Sequence, residues 1–272
     1  MPSEPPPQPV LAAFGAAGVR PVALGGGRAT TWLAGDLVLK PADLGRAELE
    51  WQAQLSSQTS CDGFRLAQPR TAAGGWLCAD GWCATEYLPG QHYQRRWPEI
   101  IAVGERLHAA LRGIPRPGFL DHRASPWATS DRVAWGEIPA GDFAQAKHLP
   151  RLTAALRPVP APSQLVHGDL SGNVLFHDQL PPAIIDFSPY WRPAAYASAI
   201  VVADALVWEG ADARILEAVS HVDDFGQYLV RALIFRAVTD CILGKDAPAA
   251  SDLGGDSWTL AVDLACQLAA RA

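Results

Sequence analysis

The sequence predicts an α+β fold in two parts, and three observations carry that expectation. The first 88 residues or so read mainly as short strands, broken by turns such as "AAGG" and "ADG", with one clear helix among them. The residues that follow read mainly as helices, because apolar side chains recur there at intervals of three and four. Pro89 and Gly90 punctuate the change of character, which sets the expected division at residues 1–88 and 89–272.

Residues 1 to 9 are Pro-rich and read as a flexible tail, with "VLAAFGAAGV" as a short helix after it. "TTWLAGDLVLKP" reads as two strands folded about Gly35 and Asp36, with Lys40 closing the second strand before Pro41. In "LGRAELEWQAQLSS", Leu44, Ala47, Trp51 and Leu55 recur at helical spacing. Strands are expected over residues 64 to 88, and Ile100, Val103, Leu107 and Leu111 mark the next helix. Residues 112 to 140 are rich in Pro and Gly and resist assignment, and a helix is expected at 141 to 156. After the polar loop in "LVHGDLSGNVLF" come two short strands, then helices at about 194 to 209, 213 to 220, 225 to 243 and 256 to 271.

Composition narrows the function. At 272 residues and 49% hydrophobic, the chain can bury a substantial core, and 18% charged residues argue against wholesale disorder. The net charge of −6 and the lack of a long basic run argue against nucleic acid as the main partner, and mildly favour a neutral or cationic small substrate. "MPSEPPPQPV" has no apolar signal-peptide core. No apolar run reaches the length of about 18 residues that a membrane span needs, so a cytoplasmic protein is expected. The five cysteines, Cys61, Cys78, Cys83, Cys241 and Cys266, are scattered and lack zinc-like spacing. All five are expected as reduced thiols.

The polar loop holds the chemistry. "HGDLSGN" sets an acid, Asp169, and an amide, Asn173, four residues apart between apolar runs, and "PAIIDF" ends in a second acid, Asp186. Phosphoryl transfer from ATP asks a protein for little covalent help. It needs an acid to accept the hydroxyl proton, oxygen ligands for Mg²⁺ and a cation on the phosphates. Short flanking strands would hold these groups still. There is no Gly-x-Ser-x-Gly, so a serine nucleophile is not indicated, and His167 with Asp169 lacks the further ligands of a transition-metal site.

On these residues the chain resembles the aminoglycoside phosphotransferase and choline kinase-like branch of the protein-kinase fold, which carries His-Gly-Asp where protein kinases carry His-Arg-Asp. The resemblance runs over about residues 20 to 210 and implies a bilobal fold, with a small strand-rich N-terminal lobe and a larger, mostly helical C-terminal lobe. It implies ATP and Mg²⁺ as cofactors and a small-molecule hydroxyl as acceptor: an amino sugar, an aminoglycoside or an amino alcohol. Asp169 takes the place of the catalytic base, Asn173 and Asp186 of the metal ligands, and His167 of a structural brace. Lys40 resembles the phosphate-binding lysine, with Glu50 or Glu48 as its helix partner. Gly25, Gly26 and Gly27 stand where the phosphate-covering loop belongs, and "TEYLPG" resembles the hinge whose backbone at Glu86, Tyr87 and Leu88 would hold adenine. Asp204 matches an acid that braces the catalytic loop. Acceptor-side candidates are Tyr190, Trp191, Arg192, Glu209, Asp223 and Asp224.

The chain departs from the family pattern in three places. Asn173 follows Asp169 by four residues instead of five, Ser188 stands where Asp-Phe-Gly has glycine, and the Gly loop lacks G-x-G-x-x-G. The sequence also resembles a less characterised group of kinase-like proteins in which "DFSPYWRP" recurs. These departures motivate a second expectation: a kinase-like protein that binds a nucleotide or a partner with little transfer.

Overall fold

The computed structural model describes residues 4–25, 30–244 and 257–271. In chain order its elements begin with helix α1 (Gln8–Ala13), strands β1 (Val22–Ala23), β2 (Trp32–Ala34) and β3 (Leu37–Pro41), and helix α2 (Arg46–Gln58). Strands β4 (Arg65–Leu66), β5 (Pro69–Arg70), β6 (Cys78–Ala79) and β7 (Trp82–Glu86) follow. Next come helices α3 (Trp97–Ala110), α4 (Pro126–Ala134) and α5 (Leu149–Ala154), and strands β8 (Gln164–His167), β9 (Val174–Leu175), β10 (Ala183–Ile184) and β11 (Pro189–Arg192). Helices α6 (Ala195–Trp208), α7 (Phe225–Ile242) and α8 (Ser257–Arg271) complete the chain. Contacts divide it into two units: Met1–Gln91 with Leu175–Asp186, and His92–Val174 with Phe187–Ala272. The return of residues 175 to 186 to the first unit is not marked in the sequence reading.

The first unit is built on an antiparallel sheet in the order β1-β2-β3-β7-β5, with β6 added to β7. Strand alternation decides its two faces. Leu37 and Leu39 of β3 and Ala84 of β7 bury against Val10 and Leu11 of α1 and Phe14 just after it. Val38 and Lys40 therefore point the other way. Gly35, at φ +65°, makes the tight turn between β2 and β3, as the Gly-Asp pair predicts. Helix α1 is shorter than expected, because Gly15 at φ +79° takes the left-handed conformation that ends a helix. In a separate, smaller sheet β10 runs parallel to β4, pairing Ala183 with Arg65 and Ile184 with Leu66.

The cysteine expectation needs a correction. Cys78 and Cys83 form a disulfide, while Cys61, Cys241 and Cys266 are free. The two lie directly opposite each other across the β6–β7 pair, with Cα atoms 4.6 Å apart, which is within bridging range. A separation of five residues in sequence says nothing of this register until the hairpin at Asp80 and Gly81 is known.

In the second unit α6 is buried all round from Tyr196 to Val207, and it packs against α3, α7 and α8. Such a helix has no polar face because none of its sides meets water. Two stretches differ from expectation. Residues 112 to 140 contain α4, started by Ser125, whose side chain accepts from the Ala128 N–H, and by Pro126 in the first turn. The helix expected at 141 to 156 is only a 3-10 turn at Ala140–Phe143 and the short α5. Pro150 lacks an N–H and is tolerated only in a first turn, so it divides the run. The run 213 to 220 is likewise a 3-10 turn, Ala213–Val219.

Gly226 marks the closest approach of α7 to α8, where a Cβ would run into the backbone at Leu268 and Ala269. Gly226→Ala is expected to lower the stability by about 1–3 kcal/mol through overpacking, read as a lower denaturant midpoint at unchanged m-value. Thiol titration of the unfolded, unreduced chain is expected to find three thiols, and five after reduction, in line with the one disulfide and three free cysteines.

Candidate active site

The expected site residues fall into two groups, one in each unit. In the first unit Lys40 reaches Asp186, 146 residues away, with Nζ 2.5 Å from Oδ1. Lys40 is on the outward face of β3, and Asp186 follows β10 at φ +48°. A non-glycine residue in that conformation is strained, although Asp tolerates it better than most. The strained turn aims the carboxylate. The pair is 31% and 51% exposed, so its net worth is only about 0–1 kcal/mol. Lys40 can therefore change partners at little cost.

Glu50 is not that partner. It pairs with Arg46 one turn back, 2.7 Å away, on the exposed side of α2. Glu48 is the buried acid of this helix and accepts from the Gln52 side chain at 3.4 Å. The helical phase puts 48 inward and 50 outward, which apolar spacing alone does not separate. In the hinge segment the Glu86 N–H donates to the Gln68 carbonyl and the Tyr87 N–H to the Asp36 carbonyl. Among the described residues the Leu88 N–H has no such partner. Gly25 is exposed and opens the connection from β1 to β2, whereas Gly26 and Gly27 lie outside the described residues.

In the second unit β8 and β11 pair antiparallel, with His167 opposite Pro189. His167 is fully buried, and its ring packs edge-on against Phe187 with centroids 5.2 Å apart. Its Nδ1 accepts from the Asp169 N–H at 3.2 Å and from the Ser188 N–H at 3.4 Å. Its own N–H donates to His108 Nε2 at 3.1 Å. His167 thus ties both strand ends and the loop together, as a brace. Gly168 is required because a Cβ there would enter the Tyr190 ring. Asn173 folds back on the loop, with Nδ2 2.7 Å from the Asp169 carbonyl oxygen and 3.3 Å from Asp169 Oδ2. Gly172, at φ +77°, permits this tighter turn. The amide oxygen of Asn173 has no partner among the described residues. An amide oxygen and the Asp186 carboxylate are hard donors of the kind Mg²⁺ takes.

Behind the loop stands a group that sequence reasoning missed. Arg236 of α7 grips Asp204 of α6 with Nε 2.7 Å from Oδ1 and Nη2 2.6 Å from Oδ2. The same Nη2 is 3.5 Å from Asp169 Oδ1. Burial works against the charge of Arg236, yet the Asp204 carboxylate holds its pKa above the ordinary value. A signal was present: Asp204 in "IVVADAL" and Arg236 in "ALIFRAV" are lone charges in apolar helices, and such charges need partners.

The acceptor candidates do not form one group. Arg192 is held by Asp131, 2.6 Å away, and by Glu137, also 2.6 Å away. Tyr190 is half-buried with its ring edge-on to Phe235, and desolvation raises its hydroxyl pKa. Glu209 takes the Trp97 indole N–H, and Asp224 sits at φ +53° before α7. Arg192 and Tyr190 are structural here.

Residues 19–231 match the model of the phosphotransferase enzyme family. The chain belongs to that family. No curated protein matches the sequence. Among solved structures, a spectinomycin phosphotransferase in complex with ADP and spectinomycin shares 15% identity at a TM-score of 0.55, over 96% of this chain and 95% of that one. A thermostable mutant of an aminoglycoside phosphotransferase, in ternary complex with AMP-PNP and hygromycin B, shares 12% identity at 0.56, over 96% of each chain. A choline/ethanolamine kinase family protein from Mesorhizobium loti shares 18% identity at 0.53, over 96% of this chain and 91% of that one. The fold of this phosphotransferase is thus the α+β, kinase-like one, with a strand-rich lobe and a larger helical lobe. No helix among the described residues is long and apolar enough to cross a membrane.

His108 beneath the loop supplies a test of the brace. Burial, with His167 beside it, lowers its pKa from 6.5 to about 3. The unfolded chain then binds a proton that the folded one refuses. Stability is expected to be level above pH 6.5 and to fall as pH drops toward 3, with a slope from this group of at most about 1.4 kcal/mol per pH unit. His108→Gln is expected to flatten that part of the curve in pH-dependent denaturant melts.

Proposed function

We propose that the protein transfers the γ-phosphoryl group of ATP to a hydroxyl of a small molecule. The observation that carries this reading is the Lys40–Asp186 pair, which joins a strand-end lysine to the acid of "IIDF" at 2.5 Å. Each residue has a role in the reaction. Lys40 neutralises phosphate oxygens. Asp169, half-exposed at 46% of its side chain, orients the acceptor hydroxyl and takes its proton as the oxygen attacks the γ-phosphorus in line. The Leu88 N–H is available to an adenine nitrogen. Asp186 and the Asn173 amide oxygen would hold Mg²⁺, which when bound supplies charge neutralisation on the phosphates.

Chemistry and relatives together support the acceptor class. ADP and AMP-PNP occupy the related structures, alongside spectinomycin or hygromycin B. A net charge of −6 suits a cationic acceptor by long-range attraction. An amino sugar, an aminoglycoside or an amino alcohol fits both. A binding-only protein is the rival reading, favoured by the four-residue spacing from Asp169 to Asn173.

Thermal shift with ATP and Mg²⁺ separates these readings when combined with turnover. At 100 times its Kd, ATP is expected to stabilise the wild type by about 2.7 kcal/mol. Asp186→Ala should lose the Mg²⁺-dependent part of that gain. Asp169→Asn should keep the binding and lose turnover, by roughly 100-fold or more. No shift with ATP in the millimolar range would overturn the nucleotide assignment. A shift without turnover against any hydroxyl acceptor would favour the binding-only reading.

A further inference from the structure

Asn173 follows Asp169 by four residues in this chain, one fewer than the family pattern, so the setting of the Asp169 carboxylate rests on its contacts. Arg236 supplies one of them. Its side chain is 12% exposed and Asp204 is 8% exposed, so the pair is locked inside the helical unit. The bidentate fork to Asp204 leaves the guanidinium plane no freedom to swing. Nη2 then meets Asp169 Oδ1 at 3.5 Å, while Asn173 Nδ2 lies 3.3 Å from Oδ2. The ring of Tyr190, packed on Gly168 and edge-on to Phe235, keeps an apolar wall beside these charges. One buried acid thereby reaches the loop through Arg236 at Asp169.

We propose that Arg236 is a positioning residue for phosphoryl transfer: anchored by Asp204, it fixes the Asp169 carboxylate in the orientation from which Asp169 meets the acceptor hydroxyl. The inference rests on the transferase reading above. It adds a residue from a distant helix to the machinery of the loop. The cation beside Oδ1 and the Asn173 amide beside Oδ2 hold the carboxylate from both ends. Arg236 itself touches neither nucleotide nor acceptor.

Two variants test this. Arg236→Lys keeps the charge and loses the fork. Asp204→Asn combined with Arg236→Gln removes both charges and leaves hydrogen-bonding partners, so no lone charge is buried. Each is compared with wild type for folding by circular dichroism, for ATP affinity by thermal shift, and for ATP turnover with and without Asp169→Asn. The expected result is a fall in kcat of about 100-fold in the neutral pair, from the displaced carboxylate, at unchanged ATP affinity. The Lys variant should fall between. In the Asp169→Asn background the loss should vanish, since Arg236 acts through Asp169. Undiminished kcat in a folded variant, or a loss that adds fully to Asp169→Asn, would overturn the proposal. If wild type binds no ATP, the transferase reading fails by itself. Amide exchange at residues 168 to 173 then decides on Arg236: faster exchange in the neutral pair supports the anchor, and unchanged exchange ends it.

Discussion

Asp204 and Arg236 face each other across α6 and α7 in a part of the molecule where nearly every neighbour is apolar. Removing one member of such a pair typically costs about 3–5 kcal/mol, because the other charge is left buried alone. That penalty makes the position of Arg236 close to invariant, and with it the side of Asp169 that Arg236 contacts. The loop between β8 and β9 hangs on this point and on His167. His167 receives the N–H groups of Asp169 and Ser188 and in turn donates its own to His108. A reaction that requires a fixed carboxylate is served by supports that are costly to break.

Lys40 and Asp186 form the opposite kind of pair. Both are substantially exposed, and an exposed pair of this kind contributes little. A phosphate group is a better partner for Lys40 than a carboxylate alone, and a divalent cation is a better one for Asp186. Under the proposed reading the two ion pairs divide the work: the buried one holds the base still, and the exposed one is exchanged when charged ligands arrive. The positive φ of Asp186 belongs with this second kind, since strain of that sort persists where surrounding structure enforces it.

The small first unit uses strand alternation to separate its two tasks. Leu37, Leu39 and Ala84 close the core on α1, and Lys40 is carried on the other face by the same strand. Cys83, opposite Lys40 in register, pairs with Cys78 on the next strand. In the second unit the load falls on helices, and close approach is bought with glycine at Gly168 against Tyr190 and at Gly226 against α8.

Much of this was legible in the sequence. Apolar spacing marks α2 and α3, the Gly35-Asp36 turn marks the β2–β3 hairpin, and α6, α7 and α8 fall where helices are expected, because these signals are local. The motif order marked Asp169, Asn173, Asp186 and Lys40, and the structure pairs Lys40 with Asp186 and Asn173 with Asp169. What local pattern could not decide were relations between distant segments. Glu50 and Glu48 are two residues apart, and only the seating of α2 says which is buried. Cys78 and Cys83 became a pair through strand register, and Arg192 became structural through Asp131. Arg236 is 67 residues from Asp169, so no spacing rule links them. Sequence by itself determined which elements form and which chemical groups are present. Tertiary packing decided which charges are buried together, because the cost of an unpaired charge depends on the neighbours that exclude water from it.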